Sequence, residues 1–482
     1  MKFKYAALVL LILISYFYLN LFANALTDDA FITLRYVKTF LDTGTWGFLP
    51  GYVTNAVTSP LNIFLLGLAS LFLGATVNAV IWLSAIILSL TVLILVEISS
   101  QLFRNPIFGY LAAVAFVFNP LVISTLGLES ILFAGLYVFA TYLYLNNKWQ
   151  LLAITLGLIT ITRFDGILFF IVTLLLVPTF KLRVKFTAIY LLCMIPWYIF
   201  SWVYLGSFFP DTLFIKTYQR AWQHWDFFNG LDLYFRVYQL ETILSFAFLP
   251  LFMLLFHKRV RDLPPIRFLL LTGLAHFVGY SILNVPPYYW YYIPEITASI
   301  LMGSLGLGIL FQDSNLSVWR KKGIQSLILI LFIFQPGGMF YILTRNGLLV
   351  TEMPIHTNWA THEKYKMIGM WLKQHDDGST ILVDGEMGTL GFYCDCRLSS
   401  FFSERKWLEQ YVQQKITGNG VKSLLYKVNF LFLNNEKQYP QPGYILAEIP
   451  DGKSGDKSAV KEWETKTKWI SQCLVKLSVY TP

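Results

Sequence analysis

Two adjacent aspartates after the first long apolar run are the residues best suited to catalysis. Asp28 and Asp29 lie in the segment Leu26-Thr-Asp-Asp-Ala-Phe-Ile-Thr-Leu-Arg-Tyr36. Arg35 follows Asp28 by about two helical turns and can share its helix face. A carboxylate pair beside a cation suits a general base, because neighbouring charges tune its pKa. An alternative stays open, in which Thr27 or Asp28 is simply the N-cap of an interfacial helix.

Charged residues in three later segments also interrupt apolar sequence. Glu129 precedes a predicted span, where it either complements the helix dipole or takes part in chemistry. Arg163 and Asp165 break a long apolar run, either as a self-neutralising pair or as functional intramembrane groups. Lys216 lies in a predicted outer loop, where it is either a solvated lysine or a ligand for an anion.

A dense aromatic stretch comprises Tyr289, Trp290, Tyr291 and Tyr292. Such residues commonly form a belt at the membrane–water interface. The functional alternative is a platform that stacks against a sugar ring or covers a lipid tail.

The cysteines do not have the spacing of a zinc site, so no metal ligands are predicted. Cys193 is expected to be a small core residue. Cys394 and Cys396 are expected to be too close in sequence to bond readily to each other. In an oxidising compartment, one of them could instead pair with Cys473.

Composition indicates a membrane protein with a polar C-terminal part. The chain is 56% hydrophobic, and residues 1–343 carry 33 charged side chains, whereas the much shorter segment 344–482 carries 32. Its net charge of +9 comes partly from short basic clusters between apolar runs. That pattern indicates cytoplasmic loops rather than a nucleic-acid-binding surface.

The basic clusters at 181–185, 257–261 and 319–322 are predicted to be cytoplasmic, as is the N-terminus. About eleven crossings satisfy this orientation if 59–74 lies along the outer surface and 150–180 is split near Arg163. Counting 59–74 as a crossing and 150–180 as one unbroken span gives the same parity, but it buries Arg163 and Asp165 in hydrocarbon.

Residues 344–482 are predicted to form an extracytoplasmic soluble α/β domain, and residues 1–343 a transmembrane catalytic module. Helices are predicted at 363–374 and 404–415, and strands at 380–384 and 430–433.

The Asp28–Tyr36 segment, followed by Thr58-Ser-Pro-Leu61, resembles the first extracytoplasmic loop of GT-C-fold glycosyltransferases. The nearest likeness is to polyprenyl-phosphate-dependent arabinofuranosyltransferases of bacterial cell walls. Protein O-mannosyltransferases and aminoarabinose transferases are more distant. Four later segments follow the family pattern in order: Gly127–Ser130, Thr162–Gly166, Lys216–Thr217 and Tyr289–Tyr292. Arg-Phe-Asp-Gly replaces the more usual Arg-Pro-Glu-Gly, and the loop before Thr58 is short.

The resemblance implies a multi-pass enzyme of the plasma (inner) membrane that inverts the sugar's anomeric configuration. Asp28 or Asp29 would be the base, with Asp28 favoured. Arg35, Arg163 or Lys216 would bind the phosphate of a polyprenyl-phosphate sugar. Glu129, Asp165 and the aromatic stretch would complete the substrate site. No cofactor is required, and a divalent metal requirement stays open.

The acceptor would be a glycan, a lipid or a protein, and the sequence does not identify it or the sugar. Two other functions stay open. A flippase or transporter of lipid-linked sugars would need charged residues deep in several spans. A membrane-anchored cell-envelope assembly protein would depend on its C-terminal part and tolerate loss of Asp28 and Asp29.

Overall fold

The computed structural model describes residues 2–219, 222, 224–345, 347, 350–433, 439–453 and 459–480. Most of this sequence is helical. The α-helices in chain order are α1 (Lys2–Asn20), α2 (Asp28–Thr43), α3 (Pro60–Leu73), α4 (Val77–Phe103), α5 (Ile107–Val117), α6 (Pro120–Ser124), α7 (Ser130–Leu145), α8 (Trp149–Thr162), α9 (Ile167–Leu176), α10 (Phe180–Tyr204), α11 (Asp211–Gln219), α12 (Gly230–Val237), α13 (Gln239–Ser245), α14 (Lys258–Arg261), α15 (Pro264–Leu283), α16 (Ile293–Gln312), α17 (Val318–Thr344), α18 (His362–Gln374), α19 (Gly388–Cys394), α20 (Lys406–Ile416) and α21 (Val421–Asn429). Short 3₁₀ segments lie at Phe164–Gly166, Leu249–Phe256 and Tyr289–Tyr292.

The chain divides into two compact units. The first unit comprises Met1–Leu21, Ile81–Met194 and Gln219–Val350. The second unit comprises Phe22–Val80, Ile195–Tyr218 and Thr351–Pro482, so it combines an early loop region with the C-terminal residues. The predicted separation of a transmembrane module from a soluble domain after residue 343 stays a prediction.

Six segments in the described part of the chain are long and apolar enough to cross a membrane, judged by length and composition. They are Val77–Phe103, Phe180–Tyr204, Gln239–Phe256, Pro264–Leu283, Tyr289–Gln312 and Val318–Thr344. Shorter apolar helices occupy Ala6–Asn20, Pro60–Leu73, Ile107–Val117, Ser130–Leu145, Trp149–Thr162 and Phe164–Leu176. The expected number of eleven crossings therefore stays a prediction.

Helix breaks occur where the sequence interrupts its apolar pattern. The predicted break near Arg163 is present, because α8 ends at Thr162 and α9 begins at Ile167. The apolar sequence 107–124 forms two helices rather than one, since Pro120 cannot donate a helical hydrogen bond. The Asn119 side chain caps the short helix that follows by accepting from the amides of Leu121 and Val122.

The second unit contains a five-stranded sheet formed by β1 (Thr380–Asp384), β2 (Leu398–Ser399), β3 (Pro442–Pro450), β4 (Ala459–Thr465) and β5 (Cys473–Val479). The strand order is β2-β1-β3-β5-β4. β1 runs parallel to β2 and β3, whereas β5 is antiparallel to β3 and β4. Leu446 and Val475, on adjacent strands, are buried in its core.

The sheet confirms one predicted strand and corrects another. The strand at 380–384 is present, and the helices predicted at 363–374 and 404–415 correspond to α18 and α20. The strand predicted at 430–433 is wrong, because those residues form a turn after α21. Phe430 packs against Leu408 and Val412 of α20, so this short apolar run fills a helical core.

Candidate active site

The predicted catalytic pair begins α2 in the second unit. Thr27 is the N-cap residue, but its side chain makes no capping hydrogen bond. Asp28 and Asp29 occupy the first helical turn, where the helix dipole favours negative charge. The two neighbouring carboxylates nevertheless have different surroundings.

Asp28 is buried and bound to the N-terminus of α19. One carboxylate oxygen accepts hydrogen bonds from the amides of Met387 at 3.0 Å and Gly388 at 2.7 Å. The other oxygen accepts from the amide of Thr389 at 2.7 Å. A Cβ on Gly388 would lie 2.1 Å from the Asp28 carbonyl oxygen, so only glycine permits this approach. Burial raises the pKa of Asp28, and the three amides oppose that shift.

Asp29 is only partly buried, and no hydrogen bond joins its carboxylate to another residue in the described part of the chain. Burial raises the pKa of Asp29 to about 6. The positive charge of Lys216 opposes this rise, and the negative charge of Asp28 adds to it. Asp29 therefore combines a raised pKa with a carboxylate that is not already held by hydrogen bonds from other described residues.

Lys216 lies on α11, whose first residue is held in a buried polar cluster. Asp211 accepts hydrogen bonds from Arg405 Nε at 2.7 Å and Nη2 at 3.0 Å. It also accepts from the Ser207 hydroxyl at 2.8 Å and from the backbone amide of Asn55 at 3.1 Å. Since Asp211 starts α11, this cluster fixes the helix that carries Lys216.

Arg35 is buried and has a structural partner. Its guanidinium pairs with Asp395, and its Nε donates to the Phe48 carbonyl at 3.2 Å. Lys38 contacts the same aspartate at 3.0 Å. The charge of Arg35 is thus largely compensated by Asp395.

A disulfide flanks Asp395 and corrects the cysteine prediction. Cys394 and Cys396 are bonded to each other, with Cα atoms 5.0 Å apart. This separation is normal for a disulfide, because Asp395 adopts a left-handed φ of 57° and turns the chain sharply. The alternative in which one of them pairs with Cys473 is not present, since Cys473 is a buried free thiol.

Glu129, Arg163 and Asp165 come together in the first unit. Arg163 lies 2.9 Å from Asp165 and 3.6 Å from Glu129. Its Nη2 also donates to the Tyr280 hydroxyl oxygen at 2.6 Å, and Tyr280 donates to Asp165 at 2.7 Å. Arg163 and Asp165 thus form an ion pair with each other, as in the alternative in which they only neutralise each other's charge.

Sequence reasoning missed the histidine that extends this network. His276 is fully buried, with Nε2 3.0 Å from Asp165 and Nδ1 2.6 Å from Glu295. A histidine within an apolar helix was an available signal, because intramembrane ionisable residues are rarely unpaired.

The aromatic stretch is buried in the first unit. The Tyr291 ring centroid lies 5.0 Å from the Arg163 guanidinium carbon. Tyr289 donates to the Ser124 carbonyl at 3.0 Å, and Tyr292 donates to the Phe227 carbonyl at 2.6 Å. Trp290 is also buried. These rings pack internally, and their predicted role in substrate binding stays a prediction.

No protein-family model matches the chain, and no curated protein matches its sequence. Solved structures do match. ArnT from Cupriavidus metallidurans bound to undecaprenyl phosphate has a TM-score of 0.58 and 15% identity, covering 99% of this chain and 98% of that chain. The oligosaccharyltransferase of Archaeoglobus fulgidus in the apo form has a TM-score of 0.54 and 13% identity, covering 93% of this chain and 70% of that chain. At such low identity the likeness shows the fold, and the chain is a multi-pass membrane protein with the GT-C fold.

Proposed function

We propose that the chain is an inverting glycosyltransferase that moves a sugar from a polyprenyl-phosphate donor to an acceptor hydroxyl. The fold supports this reaction class, because the matching ArnT structure contains undecaprenyl phosphate. The observation that carries the mechanism is Asp29, a residue that is only partly buried, whose pKa is raised by burial and lowered by the charge of Lys216.

Asp29 is the proposed general base, and Asp28 is a positioning residue. The sequence favoured Asp28, but three amides of the α19 N-terminus already occupy its carboxylate. A proton acceptor must reach the acceptor hydroxyl, and its pKa should lie near the working pH. Asp29, with a pKa of about 6, meets both requirements better.

The proposed step breaks a glycosyl phosphate bond and forms a glycosidic bond. Asp29 removes the acceptor O–H proton as that oxygen attacks the anomeric carbon. The bond between the anomeric carbon and the phosphate oxygen breaks on the opposite face. The electron pair leaves with polyprenyl phosphate, the proton stays on Asp29, and the anomeric configuration inverts.

Lys216 is the preferred cation for the leaving phosphate. Fixed positive charge stabilises negative charge that develops on a leaving group. Arg163 is a weaker candidate, because Asp165 and Glu129 already surround its guanidinium. Arg35 is likewise paired with Asp395.

The reaction is proposed to occur on the extracytoplasmic side, with the N-terminus and the three basic loops in the cytoplasm. An impermeant thiol reagent should label Lys415→Cys in intact cells, and Lys322→Cys only after permeabilisation. The reverse pattern would contradict this orientation.

The direct test uses purified protein, a panel of polyprenyl-phosphate sugars and candidate acceptors. We expect at least one donor to yield free polyprenyl phosphate together with a product of inverted configuration. Asp29→Asn should slow the formation of both by about 10²–10⁴-fold, while the exposed Asp42→Asn on the same helix should not. A product that retains the donor's configuration would refute the mechanism.

A further inference from the structure

Helix α21 in the second unit presents an apolar face outward. Val421, Leu424, Leu425 and Val428 have exposed fractions of 75%, 59%, 62% and 49%. Their spacing places them on one side of a helix. Leu431, just beyond the helix, is 63% exposed. A contiguous apolar surface of this kind normally marks contact with a lipid or a partner.

The opposite face of α21 is already packed. Phe430 forms a core with Leu408 and Val412 of α20, against which Tyr426 and Phe214 of α11 also pack. The helix therefore cannot rotate to bury its outer face without losing this core.

Lysines flank the apolar face on both sides. At 100° per residue, Lys422 and Lys427 lie roughly 100–120° from its centre, in opposite directions. Both belong to exposed positions of the helix. Basic residues beside an apolar stripe are typical of helices that lie in the interface of an anionic bilayer.

A hydrogen bond links α21 to the end of a membrane-length helix. The Trp202 indole nitrogen donates to the Val428 carbonyl at 2.8 Å. Its ring lies 5.3 Å from that of Phe432. Trp202 lies two residues before the end of α10, a segment long and apolar enough to cross a membrane. The neighbouring Val203 is 55% exposed on α10.

We propose that α21 lies in the bilayer interface where α10 ends, with its apolar face in lipid and its lysines at the headgroups. Lipid is the favoured occupant because the surface continues from the end of a membrane helix and is bordered by positive charge. Phe214 also connects this helix core to α11, which carries Lys216. Membrane contact would therefore hold the C-terminal residues and α11 in place. The inference does not depend on glycosyl transfer.

The test measures the depth of a spin label on the full chain in nanodiscs containing anionic lipid. The label is attached to Leu425→Cys in a background carrying Cys193→Ala and Cys473→Ala. Val203→Cys on α10 is the lipid-exposed control, and the exposed Gln414→Cys on α20 is the aqueous control.

For each label, we take the ratio of its collision rate with oxygen to its collision rate with a water-soluble nickel chelate. We expect this ratio to be severalfold higher for the Leu425 label than for the Gln414 label. Its depth should be about 5–10 Å below the headgroup boundary. A ratio equal to that of Gln414 would place α21 in water and overturn the proposal. Shielding from both reagents would indicate a protein partner or a second copy, and would also overturn it.

Discussion

The Asp28 carboxylate accepts a hydrogen bond from the Thr389 amide at 2.7 Å, across 361 positions of sequence. This contact therefore holds the first turn of α2 against the first turn of α19 within the second unit. Asp28, which looks catalytic in sequence, caps a distant helix, while its neighbour Asp29 is only partly buried.

Asp28→Asn should destabilise the second unit. The amide retains one acceptor oxygen and turns an NH₂ donor toward backbone N–H groups. Losing a buried hydrogen bond to a charged group costs about 1.5–3 kcal/mol. Melting followed by tryptophan fluorescence in detergent should show a lower Tm than for Asp42→Asn, an exposed change on the same helix. Equal melting of the two variants would remove the structural role of Asp28.

The contributions of Asp211 and Arg405 to stability should depend strongly on each other. Both side chains are buried, so removing one partner leaves an uncompensated charge at a cost of about 3–5 kcal/mol. Arg405→Met and Asp211→Leu should each lower the Tm, and the double variant should lose less than their sum. Arg236→Met breaks an exposed pair with Asp232 and should change little. Additive losses in the double variant would contradict the coupling.

The helices and the short breaks between them could be predicted from local sequence, because apolar periodicity and interruptions such as that at Arg163 act over a few residues. The partner of Asp28 could not, since the amides of Met387 and Gly388 have no sequence signature. The side-chain partners Asp395 of Arg35 and His276 of Asp165 were also missed, because those contacts join distant segments.

His276 should stabilise the first unit through both of its ring nitrogens. His276→Phe would leave Asp165 and Glu295 without these hydrogen bonds, at a cost of about 1–3 kcal/mol each. His276→Gln, which can satisfy one of them, should recover part of the loss. The exposed His375→Phe is the control. A Tm for His276→Phe equal to that of the control would contradict this role.

Lys216→Met should shift the acidic side of the pH profile of kcat/KM to higher pH. Lys216 lowers the pKa of Asp29, so its removal lets that pKa rise above about 6. Since the base must be deprotonated, kcat/KM should then fall at a higher pH than in the parent protein. Lys38→Met removes a lysine that pairs with Asp42 and Asp395, and should leave the pH profile unchanged. An unchanged pH profile in Lys216→Met would contradict the claim that Lys216 lowers the pKa of the base.

The most direct measurement is the transfer rate of Asp29→Asn beside its melting temperature. A positioned base contributes about 10²–10⁴-fold, so the rate should fall by that factor. The folded pKa of Asp29 lies above its ordinary value, so its stabilising contribution is lost as pH rises through about 6. The Tm of Asp29→Asn at pH 7 should therefore equal or exceed that of the parent. A near-normal transfer rate in this well-folded variant would contradict the proposed role of Asp29.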